Sequence, residues 1–184
     1  MKFITLSQKQ VMHTTTYTSI RDNHILISIR NPGLSLDLPK SPYCKATLVL
    51  NFEDLEDIAP NKTTFDADMA KQILDFVNAH CHSAGTIIVH CYAGVSRSVA
   101  VSSALSKILN HKDDNIYSIG TPNMLVYLTI LQTYFSDKFN NKTYPAIHYH
   151  RNESLKSCLT PIVYRIHEGK IRERQNYGDE EGLQ

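Results

Sequence analysis

The chain has 184 residues, of which 42% are apolar and 20% charged, and a formal net charge of +1 at pH 7. This length can bury one hydrophobic core without disulfides or a structural metal, and the composition excludes a disordered chain. The near-neutral charge argues against nucleic acid or a membrane as a partner, and no 18-residue apolar run or signal peptide occurs, so we expect a cytoplasmic protein.

Two short apolar runs in the first third of the chain predict β-strands. Residues 24–30 are rich in β-branched side chains and end at the turn Asn31-Pro32-Gly33, which indicates a buried strand. A second strand is predicted over residues 46–52. The acidic stretch 53–57 follows it and is ended by Pro60, so we expect a loop that leaves the end of a sheet.

Strands and helices alternate in the middle of the chain. Apolar spacing predicts an amphipathic helix over residues 66–80, with Thr64 or Asp66 as its N-cap. A strand is predicted over 86–90 and a helix over 98–110. A last helix is expected to run to about residue 135, with Pro122 at its first helical position.

This order of elements predicts an α/β fold with a central, mostly parallel sheet flanked by helices. The apolar periodicity stops near residue 140, and the remainder is polar and rich in Tyr and His, with one strand-like run at 161–166. We therefore expect a catalytic domain at residues 1–138 and a C-terminal appendage of unknown role at 139–184.

The four cysteines are interpreted as free thiols because they are too few and too scattered for a secreted disulfide framework. The triplet His80-Cys81-His82 lacks a second ligand pair at zinc-site spacing and is interpreted as a helix end, and His148-Tyr149-His150 is an equally weak metal signal. We expect no metal and no other cofactor.

The run from His90 to Ser98 carries the strongest chemical signal. A strand ends at His90 and a helix starts near Ser98, so the backbone N–H groups of the loop and of the helix terminus converge on one point. Such a point binds a phosphate dianion. Cys91 lies at its base, where the positive field favours the nucleophilic thiolate.

Three further residues of this run suit the same chemistry. Arg97 follows six residues after the cysteine and can hold two phosphate oxygens through its planar guanidinium group. Gly94 suits a turn with positive φ or a close backbone approach, and the Ser98 hydroxyl can donate to sulfur when a phosphocysteine is hydrolysed. Two alternatives stay open: a buried cysteine beside a solvated arginine, and a loop that binds phosphate without turnover.

The run His-Cys-Tyr-Ala-Gly-Val-Ser-Arg-Ser resembles the signature of the cysteine-based protein tyrosine phosphatases, and its Ala-Gly-x-Ser-Arg-Ser form resembles the dual-specificity branch. Residues 27–33 are similar to an early strand and turn of compact bacterial and phage-type members, and Thr121-Pro122-Asn123 resembles the Pro-Asn segment of dual-specificity enzymes. The resemblance implies a dual-specificity phosphatase-like fold over about residues 2–135.

The same resemblance implies roles for individual residues. Cys91 would be the nucleophile, Arg97 the phosphate clamp and Ser98 the helper, with His90 ordering the loop and Asn123 supporting it. The phosphate would be bound through the backbone of the loop, formed by Tyr92, Ala93, Gly94, Val95, Ser96 and Arg97.

A general acid must protonate the leaving oxygen, and an Asp upstream of the nucleophile is expected to do so. Asp66 and Asp68 fall in the first turn of a predicted helix, where capping and the helix dipole explain them. Asp54 and Asp57 follow directly from the second strand. The Phe-x-Asp placement of Asp54 resembles the compact members, so we prefer Asp54 and keep Asp57 as a supporting residue.

The variable loop positions carry no Lys or Arg, which argues against a polyphosphorylated ligand such as a phosphoinositide. The resemblance favours phosphotyrosine on a protein, with phosphoserine and phosphothreonine as further substrates, and a small phosphorylated metabolite or nucleotide stays open. The alternatives are a catalytically weak phosphate-binding interaction module and another thiolate enzyme, such as a sulfurtransferase or arsenate reductase.

Overall fold

The computed structural model describes residues 1–57, 59–112, 116 and 118–139. The strand-like run 161–166, the triplet at 148–150, Cys158 and all but the first residue of the expected appendage lie outside the described residues. Within the described part of the chain, no helix has the length and apolar character needed to cross a membrane.

Four strands and five helices make up this part of the chain. The strands are β1 (Lys2–Ser7), β2 (His24–Arg30), β3 (Cys44–Asn51) and β4 (Thr86–Cys91). The helices are α1 (Gln8–Met12), α2 (Thr14–Tyr17), α3 (Ala67–His80), α4 (Arg97–Asn110) and α5 (Met124–Phe139), and a 3₁₀ turn occupies Cys81–Ser83.

All four strands are parallel and lie in the order β1-β4-β2-β3, which confirms the expected α/β architecture. β4 is therefore an inner strand between β1 and β2, with Ser28 and Leu6 both paired to His90. Sequence analysis did not predict β1, α1 or α2. The first strand has only six residues with mixed polarity, and its pairing with β4 is visible only in the folded chain.

Burial follows the position of each strand in the sheet. β4 is buried along its whole length and β2 along all but its last residue, because helices cover both faces of the sheet, whereas the edge strand β3 alternates between exposed and less exposed positions. One face packs against α3, α4 and α5. The other face is covered by Val11 of α1 and Tyr17 of α2.

The N-cap of α3 is Asp66, whose side chain accepts a hydrogen bond from Met69 N at 2.8 Å, so the choice between Thr64 and Asp66 is settled. Each fully buried apolar side chain on its inner face stabilises the fold by about 1.5–3 kcal/mol; these include Ile73, Leu74 and Val77. The helix ends at His80, as predicted.

The expectation that Pro122 is the first residue of the last helix is wrong. α5 begins at Met124, and Asn123 precedes it with its Oδ1 accepting a hydrogen bond from Val126 N at 3.1 Å. The helix begins one residue after Asn123 because the Asn123 side chain satisfies a free N–H group of the first turn and so acts as the N-cap. The remaining predicted boundaries differ by a few residues, with α4 beginning at Arg97.

Candidate active site

The loop between β4 and α4 is held by backbone contacts from both sides. Gln8 N, at the start of α1, donates to Tyr92 O at 3.1 Å, and Thr121 N donates to Val95 O at 2.9 Å. Gly120 lies so close to the loop that an added Cβ would collide with Val95 O. The loop is therefore fixed by segments far away in sequence.

Gly94 is required at the apex of this loop for two independent reasons. Its φ is +80°, a conformation that side chains disfavour, and an added Cβ would lie 2.7 Å from Ser7 N. The close approach is made by the end of β1. The Gly94 N–H points inward and donates to Cys91 Sγ at 3.2 Å.

Cys91 is the last residue of β4 and only 1% exposed. Its Sγ lies 3.2 Å from Gly94 N and 3.2 Å from Ser98 Oγ, and Ser98 is fully buried in the first turn of α4. Both neighbours are hydrogen-bond donors to a sulfur anion. The surroundings of this sulfur therefore stabilise negative charge on it.

The N-terminus of α4 keeps its backbone donors unoccupied by any capping side chain. Ser96 occupies the N-cap position but makes no side-chain cap hydrogen bond. Its hydroxyl donates instead to Asp54 Oδ1 at 2.8 Å. The first N–H groups of the helix are consequently available to an anion.

Arg97 is 3% exposed and is held in place by Phe52. Its Nη1 donates to Phe52 O at 2.6 Å, and its guanidinium carbon lies 5.8 Å from the centre of the Phe52 ring. Its buried Nε has no hydrogen-bond partner among the described residues and lies 3.7 Å from Asp54 Oδ2. A buried guanidinium with an unused donor is suited to a phosphate oxygen.

Asp54 lies beside Arg97 and is held by one of its two oxygens. Oδ1 accepts from Ser96 Oγ and, at 2.9 Å, from Asn123 Nδ2, which also donates to Leu55 O at 3.1 Å. Oδ2 accepts no hydrogen bond from the described residues. Asn123 is only 2% exposed, so it joins the acidic loop to the start of α5 from a buried position.

The structure does not bring the other acidic candidates into the site. Asp57 is exposed and makes no hydrogen bond or ion pair with the described residues. Asp66 caps α3, and Asp68 is an exposed residue of its first turn. Asp54 therefore remains the preferred candidate.

His90 is buried in the sheet directly before the cysteine. Its Nε2 lies 2.7 Å from Ser28 Oγ, and Arg30 Nε donates to the same hydroxyl at 3.0 Å. Burial lowers the pKa of His90 to about 4, and the charge of Arg30 acts in the same direction. The ring is therefore neutral near pH 7.

A cavity of about 460 Å³ opens above the loop. It is lined by Asn31, Pro32, Glu53, Asp54, Tyr92, Ala93 and Arg97. The loop side chains differ in exposure, with Tyr92 64% and Val95 45% exposed at the surface. Among the described residues, Arg97 is the only cation in the lining, which also contains the carboxylates of Glu53 and Asp54. Glu53 is paired with Lys62 at 3.1 Å, outside this lining.

Sequence analysis missed several residues that build this site. Ser28 was available as a polar residue within an otherwise apolar strand, and it now proves to contact His90. The contacts of Gln8 and Gly120 with the loop, and the anchor that Phe52 O provides for Arg97, had no sequence signal. They depend on how distant segments meet.

Comparison with known proteins identifies the fold of the chain. No family model matches the chain, and no curated protein matches it in sequence. Solved structures do match. Human DUSP28 aligns with a TM-score of 0.55 at 12% identity, covering 76% of this chain and 95% of that one. The chain has the dual-specificity phosphatase fold.

Two further structures with this fold support the same assignment. DUSP15 aligns with a TM-score of 0.55 at 14% identity over 81% of this chain and 94% of that one. The human tyrosine phosphatase-like serine/threonine/tyrosine-interacting protein aligns with a TM-score of 0.53 at 17% identity over 74% and 93%. At these identities the dual-specificity phosphatase resemblance is confirmed for the fold.

Proposed function

We propose that the protein is a metal-independent phosphomonoesterase that works through a phosphocysteine intermediate. The observation that carries the proposal is the position of Cys91 Sγ, 3.2 Å from both the Gly94 N–H and the Ser98 hydroxyl, at the base of a loop closed by a buried Arg97. A sulfur in these surroundings is a nucleophile, and the loop beside it is a receptor for a tetrahedral dianion.

In the first step the Cys91 thiolate attacks phosphorus, an S–P bond forms and the bond from phosphorus to the ester oxygen breaks. Arg97 Nε, which lacks a partner among the described residues, binds a phosphate oxygen and stabilises the charge of the transition state. Asp54 Oδ2 gives its proton to the leaving oxygen.

In the second step water attacks the phosphocysteine. Asp54, now a carboxylate, takes a proton from that water, the S–P bond breaks and the Ser98 hydroxyl donates a hydrogen bond to the departing sulfur anion. The products are inorganic phosphate and the regenerated thiolate. Ser96 and Asn123 keep Oδ1 of Asp54 fixed, so Oδ2 faces the reaction in both steps.

The proposed substrate is a single phosphate monoester on a protein, phosphotyrosine first, with phosphoserine and phosphothreonine as further substrates. One cation and two carboxylates in the cavity lining match one phosphate group and disfavour several. Tyr92 and Pro32 offer apolar surface to an aromatic leaving group.

A kinetic experiment with Ser98→Ala tests the proposal. Wild type should hydrolyse an aryl phosphate in the presence of a chelator. Ser98→Ala should release a burst of phenol equal to the enzyme concentration and then turn over slowly, because sulfur leaves poorly without its donor. Mass spectrometry should find the phosphate on Cys91. The matched control is Ser103→Ala, a buried serine of the same helix outside the site, which should turn over like wild type.

A phosphate-binding interaction module is the second candidate. One structural neighbour is described as a phosphatase-like interacting protein, and Arg97 with the loop would bind phosphate without turnover as well. Stabilisation by vanadate or phosphate in a preparation that hydrolyses no member of a panel of phosphopeptides and nucleotides would favour this module. Hydrolysis that is lost in Arg97→Lys would exclude it, and preference within the panel separates proteins from small molecules as substrates.

A further inference from the structure

Three polar side chains form a continuous chain inside the sheet beneath the loop. Ser28 is fully buried and lies opposite His90 in the register of β2 and β4. Its Oγ is 2.7 Å from His90 Nε2, and Arg30 Nε donates to the same oxygen at 3.0 Å. β2 is otherwise mainly Ile and Leu here, so a buried hydroxyl at this place carries a cost unless it is fully hydrogen-bonded.

The direction of each hydrogen bond follows from the available protons. An arginine Nε–H can only donate, so Ser28 Oγ accepts from Arg30. The hydroxyl proton of Ser28 then needs an acceptor, and His90 Nε2 is the one that the described residues offer. In this arrangement His90 Nε2 carries a lone pair and the single ring proton lies on Nδ1, which is buried and has no hydrogen-bond partner among the described residues.

We propose that Ser28 and Arg30 are positioning residues for the reaction at Cys91, with Arg30 orienting the Ser28 hydroxyl and Ser28 holding His90 as its neutral, Nδ1-protonated tautomer. The inference deepens the proposed function and rests on it. The lowered pKa of His90 agrees with a neutral ring.

A fixed His90 ring also fixes Cys91, the residue at which the loop starts. With Nε2 bound to Ser28, the ring of His90 is held in one orientation directly before Cys91. A rotated ring, or one protonated on Nε2, would disturb the residue that carries the nucleophile. A displacement of the reacting atom by about 1 Å costs roughly 10²-fold in rate.

Nuclear magnetic resonance of the His90 ring nitrogens tests the assignment without any activity. Wild type at pH 7 should show a protonated Nδ1 and an unprotonated Nε2. Ser28→Ala should give a mixture of both tautomers, and Ser28→Thr, which restores the hydroxyl, should restore the wild-type signals. A protonated Nε2 in wild type, or unchanged signals in folded Ser28→Ala, would overturn the proposal.

Kinetics on an aryl phosphate provides the second readout. Ser28→Ala should lower kcat roughly 10- to 100-fold with KM changed less than about twofold, because the phosphate loop is intact and only the nucleophile is misplaced. Ser103→Ala, another buried serine, is the matched control and should leave kcat and the His90 signals unchanged. An equal kcat in Ser28→Ala and wild type would contradict a positioning role.

The variant Arg30→Met provides a second test in case the Ser28 variant does not fold. Arg30 is only partly buried at the end of β2, and its loss should populate the second His90 tautomer because Ser28 is no longer held as an acceptor. Unchanged ring signals in Arg30→Met would remove Arg30 from the proposal. If wild type hydrolyses no phosphate ester, the proposed function fails, while the ring signals still decide whether Ser28 and Arg30 hold His90.

Discussion

The two ends of the parallel sheet each present a cysteine close to a histidine, and only one of them has the surroundings of a phosphate site. Cys91 follows His90 at the carboxyl end of β4, whereas Cys44 begins β3 and pairs in register with His24 at the amino end of β2. Hydrogen bonds from His24, Thr47 and Tyr17 lower the pKa of Cys44 to about 7 against the opposing effect of burial.

A thiol pKa near 7 is therefore not the feature on which the proposed phosphatase site rests. Cys44 has a pKa of about 7, but the described residues place no such loop, no helix N-terminus and no buried arginine beside it. Cys91 has all three, since the loop from residue 91 to 97 runs directly into α4. The loop, the helix N-terminus and the buried arginine are what distinguish the Cys91 end of the sheet from the Cys44 end.

The largest effect is expected from replacing the sulfur of each cysteine in turn. Cys91→Ser should lower kcat/KM on an aryl phosphate by about 10⁴-fold or more, because a serine hydroxyl is not ionised in this position. Cys44→Ser should retain wild-type kcat/KM. Steady-state kinetics on both variants decides the matter, and comparable losses in the two would mean that the reactive thiol has been placed at the wrong end.

The next effect concerns the proton donor. Asp54→Ala should lower kcat by about 10²-fold on phenyl phosphate, within the usual range for a general acid, and by less on a nitrophenyl ester. The dependence arises because a more basic leaving oxygen needs the proton more. Asp57→Ala, an exposed carboxylate three residues away, is the matched control. Equal losses on both esters would rule out proton donation by Asp54.

The third prediction concerns stability rather than rate. The pKa of His90 is about 4 in the fold against 6.5 as its ordinary value, so between these pH values the unfolded chain binds more protons. The free energy of unfolding should therefore fall by roughly 3 kcal/mol as the pH decreases from about 6.5 to about 4. Above that window the contribution of His90 to stability is fully present.

Denaturant unfolding across this pH window measures the slope. His90→Gln should flatten the slope, whatever its effect on absolute stability, because the group that titrates is gone. Replacing the exposed His82 in the same way should leave the slope unchanged. A His90→Gln curve parallel to that of wild type would show that His90 does not resist protonation in the fold.

The smallest effect is a difference in labelling between two cysteines outside the site. Cys44 should react with iodoacetamide at pH 7 at least an order of magnitude faster than Cys81, whose pKa burial raises. Both thiols are partly exposed, which makes Cys81 a fair reference. Mass spectrometry of the labelled peptides gives both rates, and faster labelling of Cys81 would refute the assigned surroundings of Cys44.

Local sequence signals were sufficient to predict the parallel α/β fold and the strand-loop-helix unit around Cys91. The apolar runs at β2 and β4 and the spacing of α3 follow from side-chain periodicity, which the sequence displays directly. The preference for Asp54 over Asp57 came from the resemblance of its Phe-x-Asp placement to the compact family members. The structure places Asp54 3.7 Å from Arg97, and its role in catalysis stays a prediction.

The contacts that shape the site were beyond reach of the same reasoning. Ser96 and Asn123 are hydrogen-bonded to Asp54, although they lie 42 and 69 residues away from it in the sequence. Such contacts can be predicted only when the order of the strands in the sheet is known. β1 was missed for the same reason, since its partner β4 lies more than eighty residues later in the chain.

The pairing of β1 with β4 also bears on how the protein is made. Gly94 packs against the backbone of Leu6 and Ser7, and Asn123 fixes the acidic loop from the start of α5. The earliest and the latest described segments of the chain therefore complete the loop together. A nascent chain that has passed Cys91 but not yet residue 123 lacks the side chain that holds Asp54, so the complete site can form only after the start of α5 has been synthesised.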